Sequence, residues 1–251
     1  MGVRENFLPK VNPDAHKYSR GVVAVCAGSE KYPGAAILAT GGARRGGVGY
    51  VQFLSSSKRL QDLVVSSYPD VVPISIARDL KADALLLGSG EAKIKNLSGE
   101  IPRDIPLVLD GTSIALAKKV RNEITVVTPH EGEIHYLGTP RKTREETALS
   151  LAKQNKCIVV LKGPRTVVAT PGGMIHVDRV GGPELSTAGS GDILAGLIAS
   201  MIASWKAVDE RSAFETVVKA VTFHSEAGRY ARKRKNPVVA TDILEALPSI
   251  N

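Results

Sequence analysis

The sequence predicts an α/β domain with a central, mainly parallel sheet covered by helices on both faces. Three observations predict it. Short, continuous apolar runs recur along the chain, as in strands buried on both faces. Stretches with helical spacing lie between those runs. Each run ends in a glycine, a proline or a polar turn, and open parallel sheets bind their ligands beyond the carboxyl ends of the strands.

Residues 20–27 (RGVVAVCA) are the first apolar run and stop at Gly28-Ser29. Residues 34–42 (GAAILATGG) have the pattern of a small-residue helix, so the order is strand, glycine turn, helix. Gly46-Gly47-Val48-Gly49 then leads into a strand at residues 50–54. Further strands are expected at 84–87, 107–109, 124–127 and 157–161, with helices at 113–121 and 143–155. Thr143 and Glu146 stand at capping-box spacing. Residues 167–170 and 174–177 flank Pro171-Gly172-Gly173, which predicts a hairpin on the late edge of the sheet. A long helix over 213–233 and a short one over 241–247, capped by Thr241 or Asp242, complete the pattern. No repeat or low-complexity linker divides the chain, so a single domain over residues 1–251 is expected.

The chain is organised around residues 181–202 (GGPELSTAGSGDILAGLIASMI). The run from Ile193 to Ile202 carries no charge on any side, as in a helix buried all round. The turn before it has almost no side-chain bulk. Small residues at a helix start leave backbone N–H groups free to point at an anion, above all phosphate. Asp192 sits at that same point, where a carboxylate would repel phosphate. Two roles are open to it: a helix cap, or the acceptor of a proton from a hydroxyl that attacks a phosphoryl group.

Composition narrows the classes. The formal charge is +8, partly in the clusters Arg44-Arg45, Arg141-Lys142 and Arg232-Lys233-Arg234-Lys235. Aromatics make up 4% of the chain, and only Tyr230 stands beside such a cluster, so a nucleic-acid surface is not expected. Solvated basic faces and polyanionic small ligands fit the charge instead. Cys26 and Cys157 both lie in apolar runs without metal spacing and are expected to be reduced core residues in the cytoplasm. There is no run of about 18 apolar residues to cross a membrane, and residues 1–17 lack the apolar core of a signal peptide.

The string Ala188-Gly189-Ser190-Gly191-Asp192 resembles the G-[AS]-G-D turn of the ribokinase-like superfamily. The longer LSTAGSGDILAGLIASM is similar to the signature of the ADP- or ATP-dependent NAD(P)H-hydrate dehydratases, which repair hydrated nicotinamide cofactors. Four more strings match that family in order: GS-x-x-Y-x-GA over residues 28–35, GSG over 88–90, TPHEGE over 128–133 and LKG over 161–163. The resemblance runs from His16 to Leu247. It implies a ribokinase-like fold in which Asp192 is the catalytic base and Gly189, Ser190 and Gly191 form the anion hole. Ala35, Gly88, Gly90, His130 and Asp192 would contact the substrate. Lys162, Gly163, Pro164, Arg165, Thr166 and Gly191 would contact the nucleotide, and Glu133 would belong to an acidic pair near the metal.

This chain departs from the family at two points: Ser89 replaces the proline usual in G-P-G, with Glu91 and Ala92 where a third glycine is expected, and Gly111 follows Asp110 in place of alanine. Asp110 could therefore orient a metal-bound water, cap a helix or touch ribose. His224 is expected to serve packing, and no role is assigned to the His16-Lys17 pair. The resemblance further implies Mg²⁺, ADP (or ATP) as phosphoryl donor, the substrate NAD(P)HX and a homo-oligomer. An epimerase domain, often fused in the family, is not expected in this chain, so that epimerisation would come from another protein or occur spontaneously. The rival expectation is a ribokinase-like kinase for a vitamin precursor such as a thiazole or pyridoxal.

Overall fold

The structure is a computed structural model and describes residues 6–92 and 103–250. The two ends of the expected 1–251 domain, residues 1–5 and 251, lie outside the described residues. Among the described residues nine strands form one sheet: β1 (Val22–Cys26), β2 (Tyr50–Leu54), β3 (Val72–Ile74), β4 (Ala84–Leu87), β5 (Leu107–Leu109), β6 (Thr125–Val127), β7 (Ile158–Leu161), β8 (Val167–Ala169) and β9 (Ile175–Val177). Their order is β3-β2-β1-β4-β5-β6-β7-β8-β9. Every pairing from β3 through β7 is parallel. β8 and β9 close the late edge as the expected antiparallel hairpin.

Alternation along each strand feeds two cores. Val23 and Val25 of β1, Phe53 of β2 and Leu86 of β4 face one side of the sheet. There they meet helices α1 (Pro33–Arg44), α4 (Ser190–Trp205), α5 (Glu210–Arg232) and α6 (Ala240–Ala246). Ala24, Cys26, Leu85, Leu87, Leu107 and Leu109 face the other side. That face is covered by α3 (Arg144–Asn155) and by 3₁₀ turns that contribute Ile114 and Ile134. Because both faces are covered, the central strands need apolar residues at every position, which is why they read as continuous runs. Both cysteines are buried and unpaired, and burial pushes each thiol up to about 12. Among the described residues no helix is long and apolar enough to cross a membrane.

Three local differences from the sequence expectation have physical reasons. Residues 113–121 do not form an α-helix; Gly111–Lys118 is a run of 3₁₀ turns. A 3₁₀ run gains about 2.0 Å per residue against 1.5 Å for an α-helix, so it carries a short connection further back toward the start of β6. Helix α6 begins one residue earlier than expected, and neither Thr241 nor Asp242 is its N-cap. Val239 takes that place, and Asp242 reaches back to accept its backbone N–H at 2.9 Å while pairing with Lys235 at 2.6 Å. Helix α2 (Lys58–Ser67) and β3 had no clear signal. α2 is opened by Ser57, whose hydroxyl accepts the Leu60 N–H. The capping box of α3, by contrast, is present as expected, with Thr143 and Glu146 bonded reciprocally.

Helix α4 is buried along nearly its whole length. It packs against α1 at backbone distance. A Cβ on Gly196 would stand 1.9 Å from the Ala39 carbonyl oxygen, and one on Gly42 would stand 2.2 Å from that of Ile193. Two glycines facing each other across the pair thus set how closely the helices approach. This contact fixes the direction in which the N-terminus of α4 points. Gly196→Ala is expected to destabilise by roughly 1–3 kcal/mol through overpacking, lowering Tm by about 2–12 °C for a chain of this size. At Gly34, near the start of α1, an added Cβ would meet nothing within 4 Å, so Gly34→Ala should leave the melting curve unchanged or raise it. Thermal unfolding followed by circular dichroism compares the two.

Candidate active site

The carboxyl ends of β1, β4, β5, β6 and β7 converge on the N-terminus of α4. Each strand delivers one part of the site through the turn that ends it.

The β1 and β4 turns are packed backbone to backbone. Gly28 (φ +80°) donates its N–H to the Ser89 carbonyl at 2.7 Å. Gly90 (φ +67°) leaves no room for a side chain, since its Cβ would stand 2.4 Å from that of Ala35. Gly88 (φ +120°) is pressed against the next strand end, where its Cβ would meet the Asp110 carbonyl at 2.1 Å. Ala35, Gly88 and Gly90, expected as substrate contacts, therefore lie in one closely packed surface. The absent proline of the GSG string has a consequence: Ser89 is fully buried and its hydroxyl is available for a hydrogen bond.

That bond goes to Asp110, at the end of β5. Its Oδ2 accepts the Ser89 hydroxyl at 2.8 Å. Its Oδ1 accepts the Thr128 hydroxyl at 2.7 Å and the Lys162 ammonium at 2.7 Å. Asp110 thus stands at the N-cap position of the 3₁₀ run Gly111–Lys118, but its buried side chain makes no cap hydrogen bond. Burial opposes its ionisation, but the Lys162 charge and the three donors outweigh burial and hold its carboxyl below the usual range. Lys162 is the counterpart. Burial disfavours its ammonium, and the charges of Asp110 and Glu133 more than offset that, so it stays protonated above its ordinary range. Its head group, expected to contact the nucleotide, lies in the cleft, paired with Asp110 and 16% exposed.

The turn after β6 is a tight cap. His130 Nδ1 accepts the Gly132 N–H at 2.9 Å, and Glu133 Oε2 accepts the His130 N–H at 2.9 Å. The His130 ring is largely exposed on the rim, whereas Glu133 points inward, 3.9 Å from Lys162. Arg144 ties this turn to the next one. It pairs with Glu131 and donates to the carbonyls of Leu161 at 2.9 Å and Lys162 at 3.2 Å. A cation on two strand-end carbonyls had no signal in the sequence beyond its place at the start of α3.

Helix α4 starts at Gly189 (φ +92°), and no side chain caps it. Asp192, in its first turn, therefore does not cap the helix. The backbone of Gly191 lies against Lys162: a Cβ there would be 3.4 Å from Nζ. Burial and then the negative charge of Asp110 push the Asp192 carboxyl up to about 6, against the pull of Lys162. Ser190 is linked to His224 Nε2 at 3.2 Å. Burial drives His224 down to about 4, so this imidazole is neutral near pH 7.

A cavity of about 430 Å³ opens beside the α4 N-terminus. Lys162, Gly163, Pro164, Arg165, Thr166, Ser190 and Gly191, all singled out in the sequence, line it. Its inner wall of Leu185, Leu194, Val221 and His224 was not anticipated as a wall, because those residues come from three separate segments. An apolar slot with a charged mouth suits a flat base attached to phosphates. A second cavity of about 730 Å³ lies on the β1–β3 side, beyond Gly28.

Among the described residues no group of three or more His, Cys, Asp or Glu side chains could by itself hold a metal ion. Mg²⁺, however, is commonly held by one or two carboxylates together with substrate phosphates and water. Glu133 fits that pattern: one oxygen is fixed by the His130 N–H, and Oε1 stands 3.6 Å from the His130 ring.

The fold is that of a ribokinase-like α/β protein: it matches a ribokinase-like superfamily protein of Enterococcus faecalis with a TM-score of 0.83 and 24% identity, covering 96% of this chain and 90% of that one. Residues 23–249 match the family described as NAD(P)H-hydrate dehydratase, and the chain belongs to that family. It is 32% identical to an ADP-dependent (S)-NAD(P)H-hydrate dehydratase of Xanthomonas campestris, covering 96% of this chain and 92% of that one. It is 34% identical to a bifunctional NAD(P)H-hydrate repair enzyme of Gloeobacter violaceus over 90% of this chain, and spans 48% of that longer relative. The fold matches the ADP/ATP-dependent NAD(P)H-hydrate dehydratase of Bacillus subtilis, crystallised with ATP and Mg²⁺. That match has a TM-score of 0.83 and 27% identity, covering 97% of this chain and 93% of that one.

The Asp192 environment predicts a pH-dependent stability. Its carboxyl ionises ordinarily at 3.8 and in the folded site at about 6. Between those values the folded state binds the proton more tightly than the unfolded state does. Ionisation therefore costs stability as pH rises through this window, and the cost is complete above about 6. Asp192→Asn is expected to raise Tm at pH 7.5 and to lose that gain as pH falls toward 4. Scanning calorimetry at both pH values decides it; an equal shift at both would show that Asp192 is not a perturbed acid.

Proposed function

We propose that the protein is an ADP-dependent dehydratase that returns (S)-NAD(P)HX to NAD(P)H, working as a single domain over residues 1–251. The observation that carries this is the uncapped carboxylate of Asp192, raised toward neutrality, at an open helix N-terminus beside a buried ammonium. An acid near neutrality at that point is matched to removing a proton at physiological pH.

The substrate carries a hydroxyl added across a ring double bond, and hydroxide leaves poorly. In the proposed reaction Asp192 takes the proton of that hydroxyl as its oxygen attacks the terminal phosphorus of ADP. The phosphorus–oxygen bond to AMP breaks; phosphate then leaves the ring with its oxygen, the neighbouring ring carbon releases to water the proton that hydration had added, and the double bond reforms. The products are NAD(P)H, AMP and phosphate. The N–H groups of Gly189, Ser190 and Gly191 and the Lys162 ammonium would hold the charge on the phosphoryl oxygens in flight. Ala35, Gly88, Gly90 and His130 would border the nicotinamide ring. Lys162 through Thr166 would embrace the nucleotide, its base against Leu185, Leu194 and Val221. Mg²⁺, when bound at Glu133, would neutralise phosphate charge. The two buried free thiols suit a reducing cytoplasm, and a homo-oligomer is the assembly that the family resemblance implies.

Purified protein with Mg²⁺, ADP and (S)-NADHX should restore the near-ultraviolet absorbance of NADH, with one AMP and one phosphate per turnover. Asp192→Asn should lower kcat roughly 10²–10⁴-fold, the usual share of a general base, with ADP still bound. NADH formed without nucleotide consumption would overturn the phosphoryl-transfer step. A stable phosphate ester of another alcohol, with no turnover of NADHX, would identify a vitamin-precursor kinase instead.

A further inference from the structure

We propose that Asp110 is a positioning residue which holds the Lys162 ammonium at the first turn of α4, and that Ser89 locks Asp110 in place from the substrate side. The proposal rests on the phosphoryl-transfer chemistry proposed above. Three observations support it. Asp110 is buried and its two oxygens take three donors, from β4, β6 and β7 in turn. Lys162 Nζ is 2.7 Å from Asp110 and 3.9 Å from Glu133, and it lies against the Gly191 backbone. Ser89, which stands where a proline could donate no hydrogen bond, belongs to the same loop as Gly88 and Gly90. The loop that borders the substrate and the lysine that faces the phosphates thus form one hydrogen-bonded unit.

This arrangement has an energetic consequence. Asp110 competes with ADP for Lys162 in the ground state and places a negative charge beside the phosphate site. A lysine released from Asp110 would follow the ground-state phosphates and bind them more tightly. It would no longer be fixed where charge develops during transfer. Interactions made equally in ground and transition states do not raise kcat. Asp110 therefore weakens nucleotide binding and supports turnover. A residue that served packing alone would, when changed, weaken both.

The test separates these directions. Asp110→Asn keeps the shape of the side chain and removes its charge. ADP titrated by calorimetry in the presence of Mg²⁺ should bind roughly 3- to 10-fold tighter, within the range of coupled neighbouring groups, while kcat for NADHX falls about tenfold or more. Ser89→Ala keeps the ion pair and frees one Asp110 oxygen. It should lower kcat several-fold with ADP binding unchanged or tighter, and it carries the test if Asp110→Asn does not fold. Weaker ADP binding in either variant, or an unchanged kcat in both, would overturn the proposal. Wild-type protein that binds ADP but does not turn over NADHX would instead sink the proposed function. The calorimetric arm would then still report whether Asp110 competes for Lys162.

Discussion

The site depends on one buried ion pair. Asp110 and Lys162 come from strands separated by β6, and their 2.7 Å contact closes the rim of the sheet over it. Ser89 and Thr128 bring the ends of β4 and β6 into the same carboxylate. Taking two charges out of water is costly, and the cost is offset only where geometry and further hydrogen bonds satisfy them. Here both Asp110 oxygens have donors, and the ammonium has two acids within 4 Å. Removing one partner would leave an uncompensated buried charge, a change on the scale of about 3–5 kcal/mol. The rim is therefore fixed as a unit and does not depend on four independent loops.

The second constraint is the seating of α4. Gly196 and Gly42 let α1 and α4 meet at backbone distance, so the anion-binding end of α4 is held by its whole apolar length. No side chain caps that end. Ser190 and Gly191 line the cleft at this positive end of the helix dipole, where Lys162 adds a full positive charge. Asp192 is the exception in a field built for anions. Burial and the neighbouring Asp110 keep its proton affinity high despite the nearby lysine. A carboxyl of this kind can alternate between charged and neutral near pH 6, which an exposed aspartate in water does not do. That property is what suits this corner of the molecule to the chemistry proposed for it.

Much of this was legible in the sequence. Strands buried on both faces must be apolar at every position, so β1, β2, β4, β5, β6 and β7 appear as runs that stop at their turns. The glycine turn and the apolar helix after it marked α4, because an anion-binding N-terminus needs small residues and a buried helix needs apolar ones all round. Lys162 and the residues after it were marked by the LKG string of the family resemblance. The 3₁₀ turns after β5, the start of α6 and the short β3 were not legible. There, connection length and the position of neighbouring strands outweigh local preference, and no side-chain period records them.

What the sequence by itself determined is the strands other than β3, the order of the turns along the rim and the residue types they carry, since these follow from burial and turn chemistry that act over a few positions. What only the tertiary structure decided is who faces whom. For Asp110 the sequence left open a helix cap, a ribose contact or an oriented water; the parallel register places its carboxylate against Ser89, Thr128 and Lys162, partners that no spacing along the chain records. Asp192 could have capped α4; the fold leaves the helix uncapped and raises the proton affinity of Asp192 through burial and through Asp110, 82 positions earlier in the chain. Such pairings depend on through-space distance and on exclusion of water. Neither quantity exists until the strands are side by side.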